Sequence, residues 1–120
     1  MRKTLLSLLF LVFACIAAHA AEISGIWKAQ FDTPMGTEKY SFELKADGSV
    51  LTGKAINEHG TSVLKDGKID GNTLSFVEPV SMNGMDMAIT YTGTIDGDTI
   101  HFSRKVGDFG QDTFNAIREK

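Results

Sequence analysis

The side chains that could take part in catalysis are few and widely separated along this chain. Its single cysteine is Cys15, and the only histidines beyond the first twenty residues are His59 and His101. Glu38 and Glu78 could serve as paired carboxylates with acid and base roles, yet nothing in the sequence indicates that they meet. Gly-x-Ser-x-Gly elbows, phosphate-binding loops and Cys-x-x-Cys motifs are missing. We therefore expect a protein that is not an enzyme and that carries no cofactor or resident metal.

A group of methionines is better suited to binding than to reaction. Met82, Met85 and Met87 fall on one face of a predicted hairpin, and Met35 is predicted at the same end of the domain. Three interpretations stay open. The methionines could pack inside the fold, form an adaptable apolar surface for a ligand or partner, or bind copper(I) together with His59.

The first twenty residues have the layout of a secretory signal peptide. Two basic residues precede an apolar run over 5–18, and small residues at 18 and 20 suit a cleavage site. The run is shorter than the about 20 residues that span a bilayer. The sequence therefore predicts a signal peptide over 1–20 and one domain over 21–120, located in the periplasm or secreted.

Cleavage would change the chemistry of the chain. It would remove Cys15, so the mature domain could form no disulfide. It would also remove Arg2 and Lys3, leaving 10 basic against 15 acidic residues and a formal charge of −5. That charge opposes non-specific binding to nucleic acid or anionic lipid. A faint lipobox resemblance over 12–15 leaves lipidation of Cys15 as an alternative.

Turn signals recur at regular spacing and divide the domain into short strands. Asp-Gly and Asn-Gly pairs tolerate the positive φ angles of tight hairpins, and the runs between them alternate apolar and polar residues. Turns are predicted at 33–36, 47–48, 57–60, 70–71, 83–84, 96–97 and 107–110. Strands are predicted near 23–32, 37–46, 49–57, 61–69, 73–82, 85–95, 98–106 and 111–119.

Eight short strands joined by hairpins must protect their edges. An up-and-down barrel does so by closing on itself, and eight strands enclose a space that side chains fill or one small ligand occupies. We therefore predict an all-β protein, an eight-stranded antiparallel up-and-down β-barrel, with a β-sandwich as the alternative. A predicted bulge at Asp66-Gly67 leaves open whether Val63 or Leu64 points inward.

Two-residue turns also predict which side chains lie opposite each other on the inner face. Around Asn83-Gly84 the predicted pairs are Met82–Met85, Val80–Met87, Glu78–Ile89 and Phe76–Tyr91. Around Asp96-Gly97 they are Gly93–Ile100, Tyr91–Phe102 and Ile89–Arg104, and around Asp47-Gly48 they are Leu44–Leu51, Phe42–Gly53 and Tyr40–Ala55. Most of these residues are apolar, so this face is predicted to be the interior.

Two charged residues fall on that predicted inner face. Glu78 and Arg104 share a layer in the predicted register, separated by the strand that carries Ile89. Two strand spacings are about 9.5 Å, which two long side chains can bridge. A buried charge needs a partner, so we expect either an internal ion pair or polar contacts for a bound ligand.

The two ends of the predicted barrel differ. The Asp-Gly turns share one end, called the closed end, whereas the turns at the other, the open end, are mostly longer. Longer loops on a rigid scaffold commonly carry binding. The open end is predicted to gather Met35, His59, Met82, Met85 and Phe109. By alternation, His101 is predicted to face solvent.

The first and last strands carry a further signal. Gly25-Ile26-Trp27 opens the first strand and Arg118 closes the last, so the guanidinium could stack on the indole at the closed end. This arrangement resembles the calycin superfamily, which includes lipocalins, fatty-acid-binding proteins and avidins; 46–53 and 112–114 look particularly avidin-like. The resemblance implies a barrel floor plugged by Trp27 and Arg118, with room for a small ligand. Avidins surround biotin with several tryptophans, whereas this chain has one, so biotin is not expected.

These features predict a non-catalytic binding module for a small apolar or amphipathic ligand in the barrel. The predicted ligand contacts are Glu78, Arg104, Tyr40, Tyr91, Met82, Met85 and Met87. The alternative is a protein-interaction or envelope structural module with a filled core, whose partner is an envelope protein. Roughly 300 Å³ of continuous internal space would favour the ligand, whereas a filled barrel with an exposed apolar patch at the open end would favour the partner.

Overall fold

A computed structural model describes residues 23–33, 36–108 and 110–120, except for the side chain of Met82. Every regular element in this part of the chain is a strand: β1 (Gly25–Thr33), β2 (Gly36–Asp47), β3 (Val50–Asn57), β4 (Gly60–Val63), β5 (Lys65–Asp70), β6 (Thr73–Met82), β7 (Met85–Asp96), β8 (Thr99–Val106) and β9 (Gly110–Arg118). It includes no helix long and apolar enough to cross a membrane. The predicted signal peptide, Cys15, Met35 and Phe109 lie outside the described residues.

The strands form one closed antiparallel barrel in up-and-down order. Strand β1 pairs with β2 on one side and with β9 on the other, which closes the wall. Strands β4 and β5 share one position between β3 and β6 and are separated only at Leu64. The predicted eight-stranded barrel is therefore confirmed, and the β-sandwich alternative is excluded.

The bulge that the sequence predicted lies within β5, just after the interruption at Leu64. Asp66 has a φ of 53°, and the pairing with β6 shifts between Lys65 and Lys68. Gly67 is required there, because a Cβ atom would lie 1.8 Å from the carbonyl oxygen of Leu51. A bulge bends its strand and increases the local twist, which helps a small barrel to close.

The inward residue on this strand is Leu64. Its side chain is buried, whereas Val63 is 64% exposed. This settles the question that the sequence left open. The backbone N–H of Leu64 also donates to the carbonyl oxygen of Gly53 at 2.9 Å, so the core contact and the wall meet at one residue.

The predicted register of the β6–β7 hairpin is confirmed. Asn83 and Gly84 have φ angles of 53° and 78°, as both central residues of a type I′ turn require. Met82 lies opposite Met85, Val80 opposite Met87, Glu78 opposite Ile89, and Phe76 opposite Tyr91.

The predicted registers around Asp47-Gly48 and Asp96-Gly97 are wrong by two residues. In both hairpins the aspartate is the last paired strand residue, opposite Val50 or Thr99, and the central turn residues are Gly48-Ser49 and Gly97-Asp98. Each glycine supplies a positive φ at the first central position, where a type II′ turn needs glycine.

The corrected pairs follow from that shift. Leu44 lies opposite Gly53 instead of Leu51, and Phe42 opposite Ala55 instead of Gly53, so Tyr40 is not opposite Ala55. Gly93 lies opposite Phe102 instead of Ile100, Tyr91 opposite Arg104 instead of Phe102, and Ile89 opposite Val106 instead of Arg104. Because side chains alternate with period two, a shift of two residues leaves every side chain on its predicted face.

Candidate functional site

The closed end of the barrel is sealed by Trp27 and Arg118. The Arg118 guanidinium carbon lies 4.3 Å from the centre of the Trp27 ring, and the two residues are paired across β1 and β9. The indole N–H donates to the carbonyl oxygen of Ile23 at 3.0 Å. Arg118 donates to the carbonyl oxygen of Ser24 and to Asp98 Oδ1, both at 3.2 Å. The predicted stacking is confirmed, and these contacts close the barrel floor.

Aromatic rings fill the interior above this floor. Seven rings form a continuous network with centroid separations from 4.4 to 6.4 Å: Phe31, Tyr40, Phe42, Phe76, Tyr91, Phe102 and Phe114. Phe42 is fully buried and contacts five of the others. Offset and edge-to-face contacts of this kind add to the energy of burial. The predicted inward positions of Tyr40 and Tyr91 are confirmed, and both belong to this packed network.

Glu78 lies on the inner face, as predicted, and is only 1% exposed. The Tyr91 hydroxyl donates to its Oε1 at 2.7 Å, and the Tyr40 hydroxyl donates to its Oε2 at 3.4 Å. Burial raises the pKa of the Glu78 carboxyl, although the hydrogen bond from Tyr91 and the charge of Arg104 oppose the shift. Burial and the Glu78 charge also raise the pKa of Tyr91 well above its ordinary value. Tyr91 therefore keeps its proton and remains a hydrogen-bond donor to the Glu78 carboxyl group.

Arg104 is also on the inner face, but it does not form the direct ion pair with Glu78 that was one of the two expected arrangements. Among the described residues Arg104 pairs with Asp112, with 3.5 Å between Nη1 and Oδ2, and its guanidinium carbon lies 4.9 Å from the Phe31 ring centre. The two-residue shift of register places Arg104 opposite Tyr91, one layer closer to the floor than Glu78. Tyr91 therefore stands between the two charges.

The polar layer formed by Glu78, Tyr40, Tyr91, Arg104 and Asp112 keeps two unsatisfied atoms. Arg104 Nε and Asp112 Oδ1 are buried and have no hydrogen-bond partner within the described ranges. Leaving such groups unpaired costs roughly 1–3 kcal/mol each. The region around Arg104 and Asp112 is therefore the part of the interior that can still form further hydrogen bonds.

Above the polar layer, the side of the open end formed by β6, β7 and β8 is apolar and only half-buried. Val80, Met87 and Val106 are partly buried on the inner side, and Met85 is 60% exposed beyond them. Met82 lies at the end of β6, but its side chain is outside the description, as are Met35 and Phe109. Of the predicted cluster, the structure thus places Met85 and Met87 at the open end, and the three interpretations of the methionines stay open.

The histidines occupy separate surfaces. His59 is exposed at the open end, with its Nε2 3.7 Å from Glu38 Oε1, and His101 faces outward, as predicted, with Nδ1 2.8 Å from Asn115 Oδ1. Within the described part of the chain, no three histidine, cysteine or acidic side chains form a group that could hold a metal ion.

Two polar neighbours of Glu78 and Arg104 were not predicted. Asp112 lies opposite Arg104 on β9, and a hydrogen bond from Ser62 on β4 opposes the rise in the pKa of Glu78. Asp112 alternates with the buried Phe114 and Ala116, so the period-two pattern, carried to the end of the strand, places it on the inner face. Ser62 depends on the orientation after the bulge, which the sequence left open.

Comparisons with known proteins add no family to this description. No protein-family profile matches the chain, and searches of curated proteins and of solved structures found no match. The geometry defines a closed, eight-stranded antiparallel β-barrel that is compatible with a calycin-like fold.

Proposed function

We propose that this protein is a non-catalytic envelope interaction module, in which the barrel is a filled structural core and binding takes place on its outside. The observation that carries the proposal is the continuous aromatic network. Seven rings connected in one network occupy the space that a ligand would need, and the sealed floor lies beneath them. Met85 supplies an exposed apolar side chain at the open end, where a flexible thioether adapts to a partner.

The location in the periplasm or outside the cell, and the relation to calycins, are parts of the same proposal. The stacked Trp27 and Arg118 support the calycin relation, because the resemblance implied this contact at the barrel floor. A net negative charge and the lack of a basic cluster in the sequence favour a partner that is neither nucleic acid nor anionic lipid.

A second candidate function is binding of a small amphipathic molecule at the open end. Arg104 Nε can still donate a hydrogen bond to a polar head group and Asp112 Oδ1 can still accept one from it. Val80, Met87 and Val106 would contact an apolar tail. Protein covers both polar atoms, so a ligand would reach them only after the side chains above them moved aside. Met87 is flexible enough to do so.

Native mass spectrometry of the protein purified from its own envelope, followed by titration with dodecanoic acid and dodecylamine, separates the two candidates. A filled core predicts a mass with no retained molecule and unchanged Trp27 and tyrosine fluorescence. A retained amphiphile, or saturable binding that Arg104→Met abolishes and Lys105→Met leaves intact, would establish the second candidate. Lys105 is the matched control because it is the exposed neighbour of Arg104 on the same strand.

A further inference from the structure

Two rows of small polar side chains cross the outer face of the barrel wall near its closed end. One row consists of Ser75, Thr92, Ser103 and Thr113, which lie opposite one another on β6, β7, β8 and β9. The next row toward the closed end consists of Thr73, Thr94, His101 and Asn115. On β5, Lys68 and Asp70 extend these rows by one strand. Neighbouring strands are about 4.8 Å apart, so each row of five spans about 19 Å.

The same ten residues line an open hollow of about 820 Å³, called the outer trough. Gly93 lies at its centre, between the two rows. A Cβ atom on Gly93 would approach Ile100 to 2.8 Å and Phe102 to 3.0 Å, so these side chains pack directly against its backbone. The missing side chain at Gly93 thus lets the backbone lie close to the core at the centre of the trough.

The chemistry of the outer trough selects among classes of partner. Its two central strands present hydroxyl groups and an imidazole, and apolar carbon makes up most of the exposed lining. No large apolar side chain is exposed among the lining residues, so the trough lacks the aromatic and arginine anchors of protein interfaces. Lys68 is its one lysine or arginine, and Asp70 lies beside it at the same edge. A polyanion would gain little from that arrangement.

The polar groups are available for a partner that both donates and accepts hydrogen bonds. Within the described residues, the hydroxyls of Thr92, Thr94 and Thr113 make no side-chain hydrogen bond. The Ser103 hydroxyl accepts one from the side-chain amide of Gln111 at 3.0 Å. The hydrogen bond between His101 and Asn115 fixes two further groups in position. Threonine methyl groups between the hydroxyls would contact the C–H faces of a sugar ring.

We propose that the outer trough binds a neutral, extended saccharide chain that runs across the strands, with several sugar units spanning the two rows. This inference rests on the proposed use of the outer surface and names its partner class. An extended β-linked glycan advances along its length by a distance comparable to one strand spacing. Successive sugars can therefore lie over successive strands, each of which presents a hydroxyl group in the row from Ser75 to Thr113.

The test is titration of the ¹⁵N-labelled protein with cellohexaose and xylohexaose, followed by amide NMR and calorimetry. We expect saturable shifts confined to the strands that line the outer trough. The double variant Thr92→Val and Thr94→Val, which exchanges two hydroxyls for methyl groups of similar shape, should weaken binding at least about tenfold. Thr90→Val is the matched control: Thr90 is exposed on the same strand but outside the trough, so binding should be unchanged.

Three results would overturn the saccharide assignment. The first is that the amide signals of the trough residues do not shift at millimolar hexasaccharide. The second is that Thr90→Val weakens saccharide binding as much as the double variant does. The third is that the trough residues crosslink only to a protein in the native envelope. None of them would alter the evidence for a filled interior, which the amphiphile titration tests separately. A failure of the saccharide assignment is thus distinguishable from a failure of the proposed function.

Discussion

The two halves of this barrel fill their interiors with different kinds of side chain. Toward the closed end, the core is aromatic and a stacked Trp27–Arg118 pair covers it. Toward the open end, the interior holds buried charges, and Glu78 depends on two tyrosine hydroxyls to satisfy its carboxylate. The closed half relies on packing, whereas the open half relies on a polar layer that is satisfied incompletely.

This difference indicates where the chain can accept change. A packed aromatic core loses stability whenever a ring is removed, because the remaining rings cannot collapse into the space. A polar layer with unsatisfied atoms has energy to gain from rearrangement or a new partner. Substitutions in the two halves should therefore differ in size and in their dependence on pH.

The largest contrast is expected between Phe42 and Met85. Removing the fully buried Phe42 ring breaks contacts with five others, so Phe42→Ala should lower the free energy of unfolding by about 3–5 kcal/mol. Met85→Ala at the exposed open end should change it by less than about 0.5 kcal/mol. Urea denaturation measures both. Equal losses would show that the closed half is not the stabilising half.

The next effect concerns Gly53, where strands β2 and β3 approach each other closely. A Cβ atom on Gly53 would lie 1.9 Å from the carbonyl oxygen of Glu43, so Gly53→Ala must displace the backbone and should cost about 3 kcal/mol. Gly110→Ala is the matched control, because nothing lies within 4 Å of its Cβ position. Thermal denaturation followed by circular dichroism checks the pair. A Gly53→Ala variant as stable as Gly110→Ala would contradict the close approach of β2 and β3.

A smaller loss is expected at the floor. Arg118→Met removes a stacked cation and its hydrogen bonds to Ser24 and Asp98, which should cost about 2 kcal/mol. Lys28→Met tests an exposed cation on a paired strand, whose nearest acidic atom in Glu119 is 3.8 Å away, and should stay within about 0.5 kcal/mol. A red shift of Trp27 fluorescence should accompany only the first change. Its absence would place the indole outside the contact.

The smallest expected effect depends on pH. Because burial raises the pKa of Glu78 above 4.5, the folded state binds its proton more tightly than the unfolded state does. Stability from this residue is therefore lost as pH rises from about 4 through the raised pKa. Glu78→Gln keeps a hydrogen-bonding group near Tyr40, Tyr91 and Arg104 but removes the charge. It should match the parent at about pH 4 and be more stable at about pH 8; the reverse order would contradict the assignment.

The sequence predicted the barrel because its turns and alternation are local signals. Asn83-Gly84 specified its register correctly, since both residues adopt positive φ. At Asp47-Gly48 and Asp96-Gly97 the predicted strand register was displaced by two residues. In both hairpins the glycine forms the turn with the residue that follows it, as in Gly48-Ser49, and not with the preceding aspartate. The residues predicted to face inward were still correct, because a shift of two residues keeps each side chain on the same face of its strand.

The candidate site was less predictable for a related reason. Glu78 and Arg104 were correctly placed inside, but their partners depend on register between strands, which the shift altered. The outer trough depends on five strands in register and on the close packing at Gly93, neither of which a local pattern contains. Long-range alignment, not residue type, was the missing information.

The most direct test of a filled core is a crystal structure of the protein under xenon pressure. Xenon enters internal apolar cavities that water leaves empty. The aromatic network predicts no xenon atom between Phe42, Tyr91 and Phe102, where the rings already lie in contact. An ordered xenon atom among those three rings would reveal an internal cavity and contradict the account.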